Sequence, residues 1–345
     1  MTKINILALS PDALRLFLER LGEKPYRAGQ ILAWLYHKGA QSWEEMTDLP
    51  RALRQKLGET ADMGLLHPSR IQVSRDGTEK FLVPLADGQA VETVLLPYDT
   101  GTAACISTQV GCRMSCAFCA SGMPGFSRNL SAAEIMAQVL LVKKRLLQQG
   151  RELKNIVLMG SGEPLDNYEA VVEFLEAVQD RERLGVSLRH LTLSTAGLAP
   201  KILRLAELGR PLNLAVSLNA PNNALRDRLM PVNRAYPLEQ LLPACEAYAR
   251  KTGRRVTYEY ILLRQINDRA EDAVQLAALL KNRLAHVNLI PFNTVHELDF
   301  KPSPPHVIDE FARILQKKKI NVTVRRRLGA DIDAACGQLR AICLK

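Results

Sequence analysis

The spacing of apolar residues changes period twice along this chain, and the changes divide it into three parts. Leu14, Phe17, Leu18 and Leu21 recur at helical spacing behind Ser10-Pro11, a helix-start pair, and Gly22 stops the run. Ile31, Leu32, Trp34 and Leu35 mark a second helix from about Arg27 to His37, and Arg51 to Leu57 a third. Residues 1–62 therefore predict a small helical accessory domain. From Arg70 to Tyr98 the period drops to two, with Asp76-Gly77 and Asp87-Gly88 as hairpin turn pairs. Residues 63–100 thus predict an antiparallel β-meander extension that ends in Val91-Glu92-Thr93-Val94-Leu95.

Residues 101–345 alternate between the two periods. Strands are expected at Ala104–Gln109, Asn155–Met159, His190–Ser194, Asn213–Leu218, Val256–Leu262 and His286–Ile290, with a further β-rich segment at Ile320–Val324. Helices are expected at Ala132–Gln149, Tyr168–Val178, Ala199–Leu208, Leu238–Arg250, Ala270–Leu280 and His306–Gln316. Regular βα alternation makes a parallel sheet with right-handed crossovers. These units are too few to close an eight-unit barrel, so the fold class is α/β, a partial (β/α)6 barrel.

In such barrels the functional loops follow the C-terminal ends of the strands. Here those loops hold Cys112 to Cys119, Gly160-Ser161-Gly162-Glu163-Pro164, Ser194-Thr195-Ala196-Gly197, Ser217-Leu218-Asn219-Ala220 and Pro291-Phe292-Asn293. Small and polar residues therefore gather on one rim. Any one of these stretches could be a plain loop or a helix cap; together they favour binding.

Composition narrows the partners. A formal net charge of +10 and runs at Lys143-Lys144-Arg145, Lys317-Lys318-Lys319 and Arg325-Arg326-Arg327 tilt the surface toward nucleic acid over a merely solvated one. Aromatic residues are only 5% of the chain, which argues against an extended single-strand stacking platform. No apolar run approaches the roughly 18 residues needed to cross a bilayer, and no signal-peptide core is present, so a cytoplasmic protein is expected. An odd count of 7 cysteines argues against a disulfide framework and for metal or catalytic thiols. Cys245 lies in an apolar helical pattern as core filler, and Cys343 is given no role.

Cys112, Cys116 and Cys119 stand at C-x3-C-x2-C spacing on the first rim loop. Thiolates are the normal ligands of iron–sulfur clusters, and three of them leave one corner of a cubane open for a substrate. The competing reading is structural zinc, which needs a fourth ligand from far away. The triplet at a strand end resembles the radical S-adenosylmethionine (SAM) superfamily. That resemblance implies a [4Fe-4S] cluster on Cys112, Cys116 and Cys119, whose open iron chelates SAM and whose electron yields a 5′-deoxyadenosyl radical. Gly162 suits close backbone approach to that cofactor and Glu163 its amino group. Ser194, Ser217, Leu218 and Asn219 fall at its ribose and carboxylate, and Asn293 at its adenine.

The resemblance becomes specific in Cys105-Ile106-Ser107-Thr108-Gln109-Val110-Gly111-Cys112, Gly162-Glu163-Pro164-Leu165, Leu193-Ser194-Thr195, Ser217-Leu218 and Asp331-Ile332-Asp333-Ala334-Ala335-Cys336-Gly337-Gln338-Leu339. These segments, end to end, resemble the RlmN/Cfr family of radical-SAM RNA methyltransferases. The resemblance implies that Cys336 is methylated by one SAM and that a second SAM supplies the radical, two per turnover. It further implies that Glu92 accepts the proton from the modified adenine carbon. Cys105 would then attack Cys336 to release the product and leave a disulfide. The expected substrate is carbon 2 of an adenine in 23S ribosomal RNA, and transfer RNA by the same analogy. The expected reductant is a flavodoxin or ferredoxin, and the expected state a monomer without membrane contact. Gly162-Glu163-Pro164 resembles the RlmN branch more than the Cfr branch, which methylates carbon 8 and confers antibiotic resistance. Asn219 stands where the family usually has histidine, and Ser161 where methionine is common, so a divergent paralogue with another RNA target stays open. A reading from another class, a non-catalytic RNA-binding or electron-transfer protein, leaves the Cys105/Cys336 pair and the polar rim without a role.

Overall fold

The computed structural model describes residues 3–339, so Cys343 lies outside the described residues. The chain opens with β1 (Ile4–Asn5), α1 (Pro11–Arg20), α2 (Arg27–Ala33), α3 (Arg51–Thr60) and β2 (Ala61–Asp62). Ser10 Oγ accepts the Ala13 N–H, and Pro11 occupies the first turn, where its missing donor costs nothing. The second helix is shorter than its apolar pattern predicts, because the chain widens into a π turn at Trp34–Lys38 before Gly39. β1 and β2 form a two-residue parallel pair that closes this module, too short for the period to show.

The meander is β3 (Arg70–Val73), β4 (Glu79–Pro84) and β5 (Ala90–Tyr98). β6 (Gly101–Cys105) follows, then a small ribbon, β7 (Gln109–Gly111) with β8 (Phe126–Asn129). After that the alternation runs α4 (Ala132–Gln148), β9 (Leu153–Leu158), α5 (Tyr168–Gln179), β10 (Leu191–Thr195), α6 (Ala199–Glu207), β11 (Asn213–Ser217), α7 (Asn223–Leu229) and α8 (Leu238–Thr252). It ends with β12 (Val256–Leu262), α9 (Ala270–Leu280), β13 (Ala285–Pro291), α10 (Pro305–Lys317) and β14 (Val322–Val324).

One 10-stranded sheet has the order β14-β13-β12-β11-β10-β9-β6-β5-β4-β3. From β6 to β14 its neighbours are parallel, and from β6 to β3 antiparallel. The meander therefore extends the barrel sheet, and β14 adds a seventh parallel strand to the six expected. The expected first strand, Ala104–Gln109, is divided: β6 stops at Cys105 and Gln109 begins the ribbon. The helix α7 lies in a stretch to which the sequence assigns no element; Asn222 caps it by accepting the Leu225 N–H. Elsewhere strand and helix bounds agree within a few residues, because long amphipathic periods set them.

Candidate active site

The first rim loop is built by hydrogen bonds that stop β6 from continuing. Gln138, buried on α4, accepts the Ser107 N–H at 2.9 Å and donates to the Ser107 carbonyl at 2.9 Å. The Ser107 hydroxyl donates to the Glu92 carbonyl at 2.7 Å, so strand end and meander are locked together. The ribbon then turns the chain at Gly111 (φ +74°), where a Cβ would overlap the Gly125 carbonyl. Cys112, Cys116 and Cys119 emerge from it onto one cavity, whose walls also carry Glu163, Ser194, Ser217 and Asn219.

Burial pushes the Cys112 thiol up to about 12 and the Cys116 thiol well above its ordinary value, and each is pushed further by the charge of its neighbours. Cys112 and Cys116, desolvated and each raised further by the charge of Cys119, need a cation to hold them ionised. Among the described residues no three His, Cys, Asp or Glu side chains converge to hold one metal ion. The three thiols instead ring the cavity, which suits a multi-iron cluster better than a single zinc ion.

Glu163 is buried, and burial pushes its carboxyl up to about 7. Its Oε2 accepts the Ala196 N–H at 2.6 Å and its Oε1 the Leu165 N–H at 3.0 Å, which fixes the carboxyl group at the cavity wall. Gly162 lines the cavity too, and its missing Cβ also meets a local need: at φ +106° a Cβ would strike the Gln109 backbone. The glycine lets two strand ends approach each other. Asn219, also left-handed at φ +57°, accepts the Ile261 N–H at 2.9 Å, and its Nδ2 meets only the Met230 sulfur, at 3.2 Å. That weak partner leaves the amide a donor for a ligand. Leu218 is the exception among the rim residues. Its side chain is buried in the main core, its N–H donates to the Glu259 carbonyl and its carbonyl accepts from Arg226, so it does not line the cavity.

Cys336 reaches the same cavity on a C-terminal strap, residues 328–339, and also lines a second, adjoining one with Cys105 and Asn293. Two contacts stitch the strap to the cysteine loop: Ala120 N–H to the Gly337 carbonyl at 2.8 Å, and Ser121 Oγ to the Leu339 carbonyl at 2.6 Å. Its other end is clamped to the β3–β4 turn. Ser74 Oγ donates to Asp331 at 2.5 Å and the Gly329 N–H to Asp76 at 2.8 Å. Burial raises the Cys336 thiol above its ordinary value, against the pull of Arg325, and lifts Cys105 to about 12. Asn293 Oδ1 is buried without a partner, an acceptor free for a ligand amine.

Glu92 is buried and lines neither cavity. By register Lys80 faces Val94, and Val94 faces Cys105, so Lys80, Glu92 and Cys105 share one face of the sheet. Lys80 Nζ lies 3.0 Å from Glu92 Oε1 and 3.1 Å from the Asp333 carbonyl, joining the carboxylate to the strap. Lys80 escapes a reading of the sequence, although its place at alternate spacing opposite the Glu92 strand is a signal. Arg325 is a second omission. It belongs to a basic run read as surface, yet it points at Tyr98 and Met159 and lines the cavity of Cys336. The run at Lys143 is likewise spent internally, Lys143 on the Tyr36 carbonyl and Arg145 on Glu79.

A parallel partial barrel with a three-cysteine loop opposite a carboxylate-and-amide rim defines a radical-SAM enzyme. Residues 106–277 match the radical SAM superfamily, and residues 4–63 match the ribosomal RNA large subunit methyltransferase N-terminal domain. The chain is 50% identical to a probable dual-specificity RNA methyltransferase RlmN of Desulforamulus reducens, over 98% of this chain and 96% of that protein. It is 49% identical to the protein of the same description from Geobacillus thermodenitrificans, over 98% and 93%. A crystal structure of a radical SAM methyltransferase from Sphaerobacter thermophilus superposes with a TM-score of 0.96 at 44% identity, covering 98% of this chain and 100% of that one. The chain belongs to the RlmN family of radical-SAM RNA methyltransferases, enzymes that use a [4Fe-4S] cluster and SAM.

Proposed function

We propose that this enzyme methylates carbon 2 of an adenine in 23S ribosomal RNA, and by family analogy in transfer RNA, through a methyl group carried on Cys336; the relatives are described as dual-specificity RNA methyltransferases. The observation that carries the reading is the shared cavity of Cys105 and Cys336, two thiols 231 residues apart in sequence that meet beside the cluster loop. Cys112, Cys116 and Cys119 would hold the cluster. Glu163, Ser194, Ser217, Asn219 and Asn293 would hold SAM, whose bound form supplies one hydrogen-abstracting carbon radical.

Adenine carbon 2 is electron-poor and does not attack a sulfonium, so the methyl group goes first to sulfur. Cys336 Sγ, as thiolate, takes it from one SAM, its lone pair forming the new bond while the sulfonium leaves as a thioether. After the methyl loses a hydrogen atom, its carbon bonds to the adenine ring and the RNA is covalently attached to Cys336. The adduct must then pass one electron to an acceptor, a role that the cluster held by Cys112, Cys116 and Cys119 would fill when bound, and Glu92 takes the proton of the ring carbon. Cys105 attacks Cys336 Sγ; the C–S pair stays with carbon, which gains a proton and becomes the methyl group. The resulting disulfide is reduced by external thiols. The base must be unpaired or extruded to reach a half-buried thiol inside a cavity. The same reading includes an external flavodoxin or ferredoxin as electron donor, a monomeric cytoplasmic enzyme, and a division at about residues 62 and 100 into helical module, meander and barrel. Among the described residues no helix is long and apolar enough to cross a membrane.

Mass spectrometry of RNA nucleosides from cells with and without the gene tests the product. Loss of 2-methyladenosine on deletion is expected, and loss of 8-methyladenosine instead would overturn the choice of carbon. Glu163→Gln tests the SAM site. Replacing a charge-assisted hydrogen bond by a neutral one is expected to weaken SAM binding about tenfold to a hundredfold, read by equilibrium binding to the reconstituted protein.

A further inference from the structure

Arg226 is among the largest fully buried side chains of the protein, at 0% exposure, and no role in binding or catalysis falls on it in the scheme above. Its guanidinium donates to the Ala196 carbonyl at 2.7 Å, the Ser217 carbonyl at 3.1 Å, the Leu218 carbonyl at 3.1 Å and Asn233 Oδ1 at 2.9 Å. The first three acceptors are the backbone at the C-terminal ends of β10 and β11, where the rim holds Ser194, Ser217 and Asn219. The planar fork thus splices two neighbouring strand ends, which a point-charge ammonium could not do.

Its charge has no ordinary counterpart. No carboxylate hydrogen-bonds it among the described residues; Asp227 is linked to it only through Asn233, which accepts from Arg226 and donates to Asp227, and its own donors are spent on neutral oxygens. A buried cation without a carboxylate is costly unless another anion lies near. The anion on hand is the cluster loop. The Ala117 N–H, next to Cys116, donates to the Leu229 carbonyl of the helix that carries Arg226, at 2.9 Å. Cys116 and Leu225 both pack on the apolar cluster that holds Ala196 and Leu229.

We infer that Arg226 is a positioning residue with two separable functions: its fork sets the SAM-facing rim, and its buried charge beside Cys116 makes the cluster easier to reduce. The inference rests on Cys112, Cys116 and Cys119 holding the cluster. Three thiolates give the oxidised cluster a net negative charge, and reduction adds another. A fixed cation in a water-poor interior favours the more negative state, since cluster potentials follow net charge and exposure.

The test uses the full-length, anaerobically reconstituted enzyme with three variants at this position. Arg226→Lys keeps the charge and loses the fork, Arg226→Gln keeps amide donors and loses the charge, and Arg226→Met loses both. Thermal melting of the apo-protein establishes folding, iron counting establishes loading, and potentiometric titration followed by electron paramagnetic resonance reads the cluster. In Arg226→Lys the midpoint is expected to stay at the wild-type value, while KM for SAM rises about tenfold with kcat little changed. In Arg226→Gln the reduced fraction at a fixed solution potential is expected to fall about tenfold, a shift of about 59 mV for a one-electron couple. Arg226→Met is expected to show both effects. A loaded Arg226→Gln or Arg226→Met enzyme with an unchanged midpoint overturns the inference. So does an Arg226→Lys enzyme that loads but shifts as far as the neutral variants, or that folds but takes no cluster. Neutral variants that fold without loading, beside a loaded Arg226→Lys, support it. If Cys116→Ala still takes a complete [4Fe-4S] cluster, the ligand assignment fails instead, whatever the Arg226 variants do.

Discussion

Cys336→Ala is expected to abolish RNA methylation altogether while the protein still cleaves SAM to 5′-deoxyadenosine. The two halves of the site separate this cleanly because they rest on different segments. The cluster loop is held by the β7–β8 ribbon and the Ser107–Gln138 bonds, none of which involves residue 336. The strap keeps its place without the thiol, since its contacts to Ala120, Ser121, Ser74 and Asp76 come from other residues. Deleting one sulfur atom removes the methyl carrier and nothing else, and an electron-poor ring carbon offers no direct route around it. Assaying labelled methyl transfer to RNA beside 5′-deoxyadenosine release distinguishes the outcomes. Residual methylation would sink the carrier role.

Cys105→Ala gives the second large effect, in the opposite sense. Methyl transfer to Cys336 and attachment of RNA are expected to proceed, and release to stop, so a covalent protein–RNA species accumulates to near the enzyme concentration. Denaturing gel mobility with nuclease treatment reads it directly. The same thiol predicts a pH profile for wild type. Burial lifts Cys105 to about 12, so at neutral pH only a small thiolate fraction is ready to attack. A raised thiol pKa means that this fraction grows as pH rises. Decay of the adduct in a single turnover should therefore quicken about tenfold per pH unit between about pH 7 and 9. A flat profile would show that thiolate formation at Cys105 does not limit release.

Much of this site is visible in the sequence because its residues fall at strand ends, where period and chemistry coincide. The cysteine triplet, Gly162-Glu163 and Asn219 all sit on the expected rim. What escapes is whatever depends on the third dimension. Arg226 lies in a stretch where the sequence shows no element, yet the fold buries it completely. Arg325 looks like surface until β14 docks beside β13 and turns it inward toward Met159. Leu218, between the cavity-lining Ser217 and Asn219, sends its side chain into the core just past the end of β11, so only its backbone runs along the rim. Lys80 and Glu92 pair across strands joined by a hairpin, a contact set by register.

The clamp between Ser74 and Asp331 spans 257 residues of sequence. Closing so long a loop is entropically slow, and such contacts form after the local βα units have assembled. By that ordering the strap is expected to dock last, over a cysteine loop whose own ribbon and Gln138 contacts do not depend on it; pulsed hydrogen exchange during refolding should show protection of the strap arriving after that of β7 and β8.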